Sequence, residues 1–528
     1  VEQWQESAVR LARASLSARR VIGLVLLATL AASVALFLIL PTAFAPVEDQ
    51  GLVVATVSAP AGSNIWNTER TTAQVAALLA ANPAVRDYFS ATGISLDGPD
   101  LPSSGFVYAR LKPRAARHLG QTEIVDRLRP GLQALPGALA FAMNPPSLSG
   151  DDTDRDINLV VKGPSFTTLD SIDRTLRRRL SQDPALTDIL SDLALETPEI
   201  DVSYDRALAA SLDIPVQAVA ESLAIGLGGL RLGTFDLDGR AYPIIAELDP
   251  RFRAEPGQIA SLAVRTAGGQ IVPLSSLTHI HPGFGPAVIS HYDLERAFTI
   301  GANLADGASL SKAITRVETA ARPLLPPGYG MALTGSTRSF AETMRSIYIV
   351  FGTSLLFIYL VLAAQFESWV HPIVIMLSVP FALAGSLVML GVTGNSINLY
   401  SGIGIVMLVG LVAKNGILLV DFANQRRARG AGIRDAITQA VGARFRPIVM
   451  TSLAMIVGSL PLALAMGPGA ESRRPLGWAV VGGLLFSTAF TLLVTPTFYL
   501  VVTTLATRLG LSPPPVRLAE DDNTGAPP

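Results

Sequence analysis

The amino-acid sequence predicts a two-part fold: a membrane α-helical bundle of six transmembrane helices, and an α+β region outside the membrane built from two related sheet subdomains, one of them interrupted by an insertion. Three observations lead there. The 528 residues are 49% hydrophobic with a mean hydropathy of +0.42, too apolar for an ordinary water-soluble chain. Six segments have the roughly 20 mostly apolar residues that a bilayer crossing needs: residues 21–40, 347–364, 373–392, 397–424, 448–466 and 478–503. About 300 mostly polar residues separate the first of these from the other five, and their strand and helix periodicities occur in a repeated order.

Taken in order, residues 1–20 read as a cytoplasmic connector helix rich in arginine, and residues 21–40 as the first span. Arg10, Arg13, Arg19 and Arg20 precede that span, Arg426, Arg427, Arg429, Arg434, Arg444 and Arg446 lie between the fourth and fifth, and Arg508 follows the sixth. All three places fall on one side if every span crosses once, and the arginine excess makes that side the cytoplasm. Arg473 and Arg474, in the last outer loop, run against the rule. The long polar section therefore lies outside.

In that section, strand 51–59, helix 66–81, strands 85–92 and 106–112, helix 123–129 stopped by Pro130, and strand 138–144 follow one another. The order β-α-β-β-α-β is the split βαβ or ferredoxin-like unit, here residues 41–150. A second copy is expected from strand 156–162, helix 167–180 and strand 200–204, resuming with strand 298–303, helix 309–321 and strand 330–334, so that it spans residues 151–204 and 291–336. Residues 205–290 form the insertion, with short helices near 206–212 and 216–224 and strands near 242–247, 263–266 and 271–273. Five spans occupy residues 337–505, and residues 506–528 read as a disordered cytoplasmic tail.

The 41 basic and 42 acidic residues leave a net charge of −1, so no global field draws nucleic acid. The sequence lacks cysteine, which removes thiol chemistry and disulfides. No nucleotide-binding motif is present: GLGGLRLG at residues 226–233 is followed by no phosphate-binding pattern. His279 and His281 would share one face of a strand, but two histidines without a third ligand read as a polar sheet face. Met143 is a single methionine, not the cluster of soft ligands a soft-metal exporter needs. Neither cofactor nor metal is expected.

Lys414, in the middle of the fourth span, is the exception in an apolar stretch. A lysine at that depth costs about 2.5–3.5 kcal/mol on insertion scales, so it should face a bundle interior or a wet cavity and have an acidic partner. Asp421 is seven residues on, roughly 10 Å along the helix, too far for pairing. The partner must come from another segment.

Four strings, in this order, carry a resemblance: LPTAFAPVEDQG at 40–51, QFESWVHP at 365–372, GLVAKNGILLVDFAN at 410–424 and RFRPIVMTS at 444–452. With them the chain resembles the C-terminal half of a transporter of the resistance-nodulation-division (RND) superfamily, hydrophobe/amphiphile efflux branch. The resemblance implies an inner-membrane, multi-pass protein without enzymatic activity, driven by the proton motive force. It implies two similar halves per protomer, a homotrimer, a periplasmic adaptor and an outer-membrane channel as partners, and small hydrophobic or amphiphilic compounds as cargo. The insertion is then a docking subdomain and the two sheet units are porter subdomains. Lys414, Arg444 and Thr451 match the family's proton relay, whose partners are two adjacent aspartates in the other half. No Asp-Asp pair lies in an apolar span here; Asp151-Asp152 and Asp521-Asp522 are in polar sections. The chain is thus expected to be a piece, or a half-size protein, that pairs with an N-terminal half. Phe89, Ile94, Leu96, Tyr108, Phe141 and Met143 match pocket-lining positions, and residues 93–104, with Gly93, Gly98 and Pro99, match a gating loop. Ile94 and Leu96 stand where phenylalanines are common, which lessens stacking on flat drugs. Two other classes share parts of this organisation: a protein-translocation accessory subunit and a membrane-anchored binding module without transport.

Overall fold

The computed structural model describes residues 2–96, 99–145, 155–193, 195, 197–266, 268–305, 307–465 and 469–508. The tail expected at 506–528 lies outside these from residue 509 onward. Two compact units are present, the larger formed by Val1–Ser58, Ile65–Ser191 and His291–Pro528, the smaller by Ala59–Asn64 and Asp192–Ser290.

Among the described residues, the larger unit carries six helices long and apolar enough to cross a membrane: Arg19–Ile39, Gly335–Gln365, His371–Val392, Leu399–Ala428, Ile433–Ala463 and Arg474–Arg508. The second, fifth and sixth run well beyond the apolar runs expected from sequence. Hydropathy reads only the lipid-immersed part; the fifth begins with an amphipathic stretch that buries Ala436, Ile437, Ala440 and Val441 at helical spacing. The third and sixth spans bury most of their residues, whereas the first and second bury few of theirs. Close approach of the third and sixth depends on glycine. A Cβ at Gly482 would sit 2.5 Å from the carbonyl oxygen of Gly385, and one at Gly385 would sit 2.5 Å from that of Gly482. Small residues at such crossings let backbones touch, which is how membrane helices gain packing without a hydrophobic drive. Phe381 and Phe490 stack beside them, 4.8 Å between centroids.

Two sheets follow the same plan. In the first the strand order is Val85–Thr92, Ser104–Leu111, Leu52–Ser58, Leu139–Met143, all neighbours antiparallel. Val53, Ala55, Val57, Val107 and Ala109 alternate onto one face and pack against helices Ile65–Ala80 and Gln121–Gln133. In the second, Leu186–Ser191 pairs with Glu295–Leu304, which pairs with Ile157–Lys162, which pairs with Gly330–Leu333. Helices Phe166–Leu180 and Leu310–Ala321 bury apolar faces in this part of the unit. The last strand runs through Thr334 straight into the second span, and Thr337, fully buried, accepts a hydrogen bond of 2.7 Å from the Asn158 amide.

One strand assignment is corrected. The sequence placed 200–204 in the second sheet and began the insertion at 205; the structure pairs Thr197–Tyr204 with Thr278–Gly285, inside the smaller unit. Glu199, Asp201 and Ser203 make one face of that strand polar, which suits a two-stranded ribbon and not a covered sheet. The strand that completes the second sheet, Leu186–Ser191, was missed because Asp188 adopts φ +51° and breaks the alternation at a register shift. In the smaller unit, helices Arg206–Ser211 and Val216–Leu223 enclose a core of Ala209, Ile214, Val219, Val264, Leu274 and Leu277. Asp205 caps the first of them by accepting from the amides of Ala207 and Leu208 at 2.9 and 3.0 Å. The hairpin Leu230–Leu237 with Arg240–Ala246 is exposed along its length.

Candidate functional site

The fourth span is a single 30-residue helix, started by a reciprocal cap in which the Asn398 side chain accepts from the Ser401 amide and the Ser401 hydroxyl accepts from the Asn398 amide. Glycines let its neighbours close in: a Cβ at Gly416 would meet Ile375 at 3.0 Å, and one at Gly404 the Leu476 carbonyl at 3.1 Å. Lys414 is held halfway along, half-buried, on the side facing the fifth span.

Three contacts fix an antiparallel register between these two helices. The Lys414 ammonium lies 4.0 Å from Met455 Sδ. Asn415 Nδ2 donates to Ser452 Oγ at 3.2 Å and to Thr488 Oγ1 of the sixth span at 3.5 Å. Two turns toward the arginine-rich end of the helix pair, the Arg444 guanidinium sits 5.1 Å from the centre of the Phe422 ring. Lys414 thus stands at the level of Ser452 and Met455, and Thr451 is the residue just before Ser452 on the fifth span. Arg444 is seven residues from Thr451, roughly 10 Å along the axis.

The three relay candidates share one helix pair without hydrogen-bonding one another. Thr451 donates to its own helix, to the carbonyls of Pro447 at 2.8 Å and Ile448 at 3.2 Å. Arg444 Nε is buried and has no hydrogen-bond partner. Among the described residues, no carboxylate comes within 4.0 Å of Lys414 or Arg444. Asp421 instead accepts from Gln425 at 2.9 Å. The site is cationic and polar, with its acceptor side open.

Sequence reasoning missed Asn415, Ser452 and Thr488. Asn415 is 0% exposed and its Oδ1 has no protein partner, a costly condition in an apolar bundle. Its position directly after Lys414 was the available signal.

The outer candidate site is the sheet face opposite the helices of the first sheet. Tyr108 pairs with Phe89 and with Val54, Val54 with Met143, and Thr56 with both Phe106 and Phe141. Phe89, Tyr108, Phe141 and Met143 therefore share one face. Phe106, which sequence reasoning did not single out, bridges Phe89 and Tyr108 with centroid distances of 6.1 and 5.1 Å. Phe106 is 7% exposed and Phe89 62% exposed, so the first supports and the second presents. Ile94 is exposed and Leu96 half-buried in the loop leaving the Val85–Thr92 strand. Gly93 turns that loop at φ +79°, with its amide donating to the Ser104 carbonyl at 2.7 Å. Pro99 is exposed; Gly98 lies outside the described residues.

The chain is 33% identical over 485 residues to multidrug resistance protein MdtC of Salmonella arizonae, 34% over 487 to that of Cronobacter sakazakii and 32% over 498 to that of Escherichia coli. These alignments cover 91%, 91% and 94% of the chain and 47%, 47% and 48% of the relatives, so the chain spans about half their length. A solved heavy metal efflux pump has the same fold, with a TM-score of 0.82 at 24% identity over 95% of this chain and 52% of that one. The AcrB/AcrD/AcrF family profile matches residues 2–503. With that match over nearly its whole length, the chain belongs to the AcrB/AcrD/AcrF family of RND efflux transporters, membrane proteins that move compounds and are not enzymes.

Proposed function

We propose that this chain is the cation-bearing half of a proton-driven efflux transporter for hydrophobic or amphiphilic compounds, and that Lys414, Arg444 and Thr451 belong to its proton relay. The observation that carries the reading is Lys414: a mid-span ammonium turned toward the fifth helix, with methionine sulfur at 4.0 Å and no carboxylate in reach among the described residues. A carboxylate supplied by a companion half would hold the lysine in a charged pair when ionised and release it when protonated. Two lysine positions that favour different helix packings convert protonation into motion.

The outer region fits the export role. The strand order shared by its two sheets supports the ferredoxin-like assignment of both porter subdomains, and the unit at 192–290 supplies a docking subdomain. Exposed Phe89 with Tyr108, Phe141 and Met143 offers an apolar surface for cargo, and the loop after Thr92, hinged at Gly93, acts as its gate. Partners are an N-terminal half with the aspartate pair, two further protomers, a periplasmic adaptor and an outer-membrane channel.

The test is Lys414→Ala in the whole transporter, expressed in a host lacking its own pumps. Export of a panel of amphiphilic compounds is expected to fall to the level of the empty host, with membrane abundance and assembly unchanged. Export at the parental rate would remove Lys414 from the mechanism.

A further inference from the structure

At the arginine-rich end of the bundle, two cavities meet at one side chain. The connector helix Glu2–Ser17 lies along the fifth span, pinned by Gln5 Nε2 donating to the Gly442 carbonyl at 2.8 Å. A Cβ at Gly442 would be in ordinary van der Waals contact with Val9 at 3.4 Å, so the two helices are closely packed here. On one side of this contact is a cavity of about 530 Å³ lined by Arg10, Arg13 and Arg446 with Gln5 and Glu6. On the other is an apolar groove of about 720 Å³ lined by Trp4, Phe445, Val449, Met450 and Leu453, with Arg446 at its mouth. Trp4 is 72% exposed and Met450 70%.

The two chemistries match one molecule. The basic cavity, in which Arg10 and Arg13 outnumber Glu6 before Arg446 is counted, is complementary to a phosphodiester anion. The groove rises from it along the membrane-facing side of the fifth span, where residues 449, 450 and 453 present only apolar side chains, and suits an acyl chain. Trp4 lines the groove together with Arg446, and an amphipathic ring of this kind prefers the headgroup level. The arginine distribution places this end at the cytoplasmic surface, whose anionic lipids attract basic clusters. We propose that this is a binding site for an anionic phospholipid of the inner leaflet, with Arg446, Arg10 and Arg13 on the phosphate and the Trp4 to Leu453 groove around an acyl chain. The occupant would hold the connector helix against the fifth span, the helix that bears Arg444 and Thr451.

The test uses the whole transporter in nanodiscs of phosphatidylcholine doped with brominated phosphatidylglycerol or brominated phosphatidylcholine. Fluorescence quenching due to Trp4 is isolated by subtracting the Trp4→Phe protein. Half-maximal quenching by the anionic lipid is expected at a mole fraction roughly fivefold lower than by the zwitterionic one, and the preference is expected to vanish in Arg10→Gln/Arg13→Gln/Arg446→Gln. Met450→Phe, which crowds the groove without adding a fluorophore that interferes and leaves the arginines, should weaken quenching by both lipids. Equal quenching by the two lipids in the parent protein overturns the proposal, and so does a Trp4 that neither lipid reaches, which would mean that a protein segment covers this face.

Discussion

Lys414 could be singled out from sequence because one charge in an apolar run has a large and calculable cost. Ser452 and Thr488 could not, because a lone polar residue in a membrane helix has no meaning until the facing helix is known, and Asn415 was signalled only by its place next to Lys414. The same contrast applies to Asp49. In the sequence it is one acid of a loop; in the structure it joins Arg117, whose side chain is 3% exposed. It also accepts from the amides of Gln121 and Gly51, both at 3.2 Å. Burial works against ionisation of Asp49, but the Arg117 hydrogen bond, those amides and the guanidinium charge outweigh it and hold its carboxyl below the usual carboxylate range. A depressed acid contributes stability above its unfolded pKa of about 3.9 and loses it as pH falls through the folded value. Asp49→Ala, which strands a buried guanidinium, should therefore destabilise the first sheet by about 3 kcal/mol at pH 7. Denaturant melts of parent and variant should converge as the pH drops below about 4; an unchanged gap there would mean the ion pair is not the cause.

At the scale of elements, the β-α-β-β-α-β order was readable because alternation and helical period differ sharply over short windows. The second copy was harder. Its second strand, Leu186–Ser191, contains a left-handed Asp188, and the chain then leaves the sheet for about a hundred residues before Glu295–Leu304 returns to pair with it. Local pattern cannot tell a strand that stays from one, such as Thr197–Tyr204, that departs with the insertion. The contact of the third and sixth spans was equally hidden, since glycine in a membrane helix signals closeness without naming the partner. Gly482→Leu places a branched side chain where only 2.5 Å separates a Cβ from the facing carbonyl, and should force these helices apart. Folded, monodisperse protein recovered from membranes should fall severalfold, whereas Gly410→Leu, at a glycine with open space around it, should leave the yield intact.

For the whole molecule, the informative connection is the direct passage from strand Gly330–Leu333 through Thr334 into the second span. The buried Thr337 accepts from the Asn158 amide and donates to the Asp156 carbonyl, locking the helix start to the sheet. A displacement of the helix must then move the second sheet, the kind of link that the proposed coupling of membrane protonation to the region beyond the spans needs. Two glycines inserted after Thr334 should loosen that joint. The expected result in the whole transporter is loss of export with abundance and proton uptake retained, read by compound accumulation alongside a pH-sensitive dye. Full export in the insertion variant would place the coupling elsewhere.

The sequence by itself determined six apolar segments long enough to span, the element order of the first sheet, the exceptional lysine and the family, because each depends on periodicity, composition or a string of neighbouring residues. Only the tertiary structure decided which strand completes the second sheet, that Phe106 supports the exposed Phe89, that Asn415 is buried beside Lys414, and that Arg10, Arg13 and Arg446 ring one cavity. Each of those depends on residues far apart in the chain, whose proximity is set by the packing of helices and the register of strands and leaves no trace in local pattern.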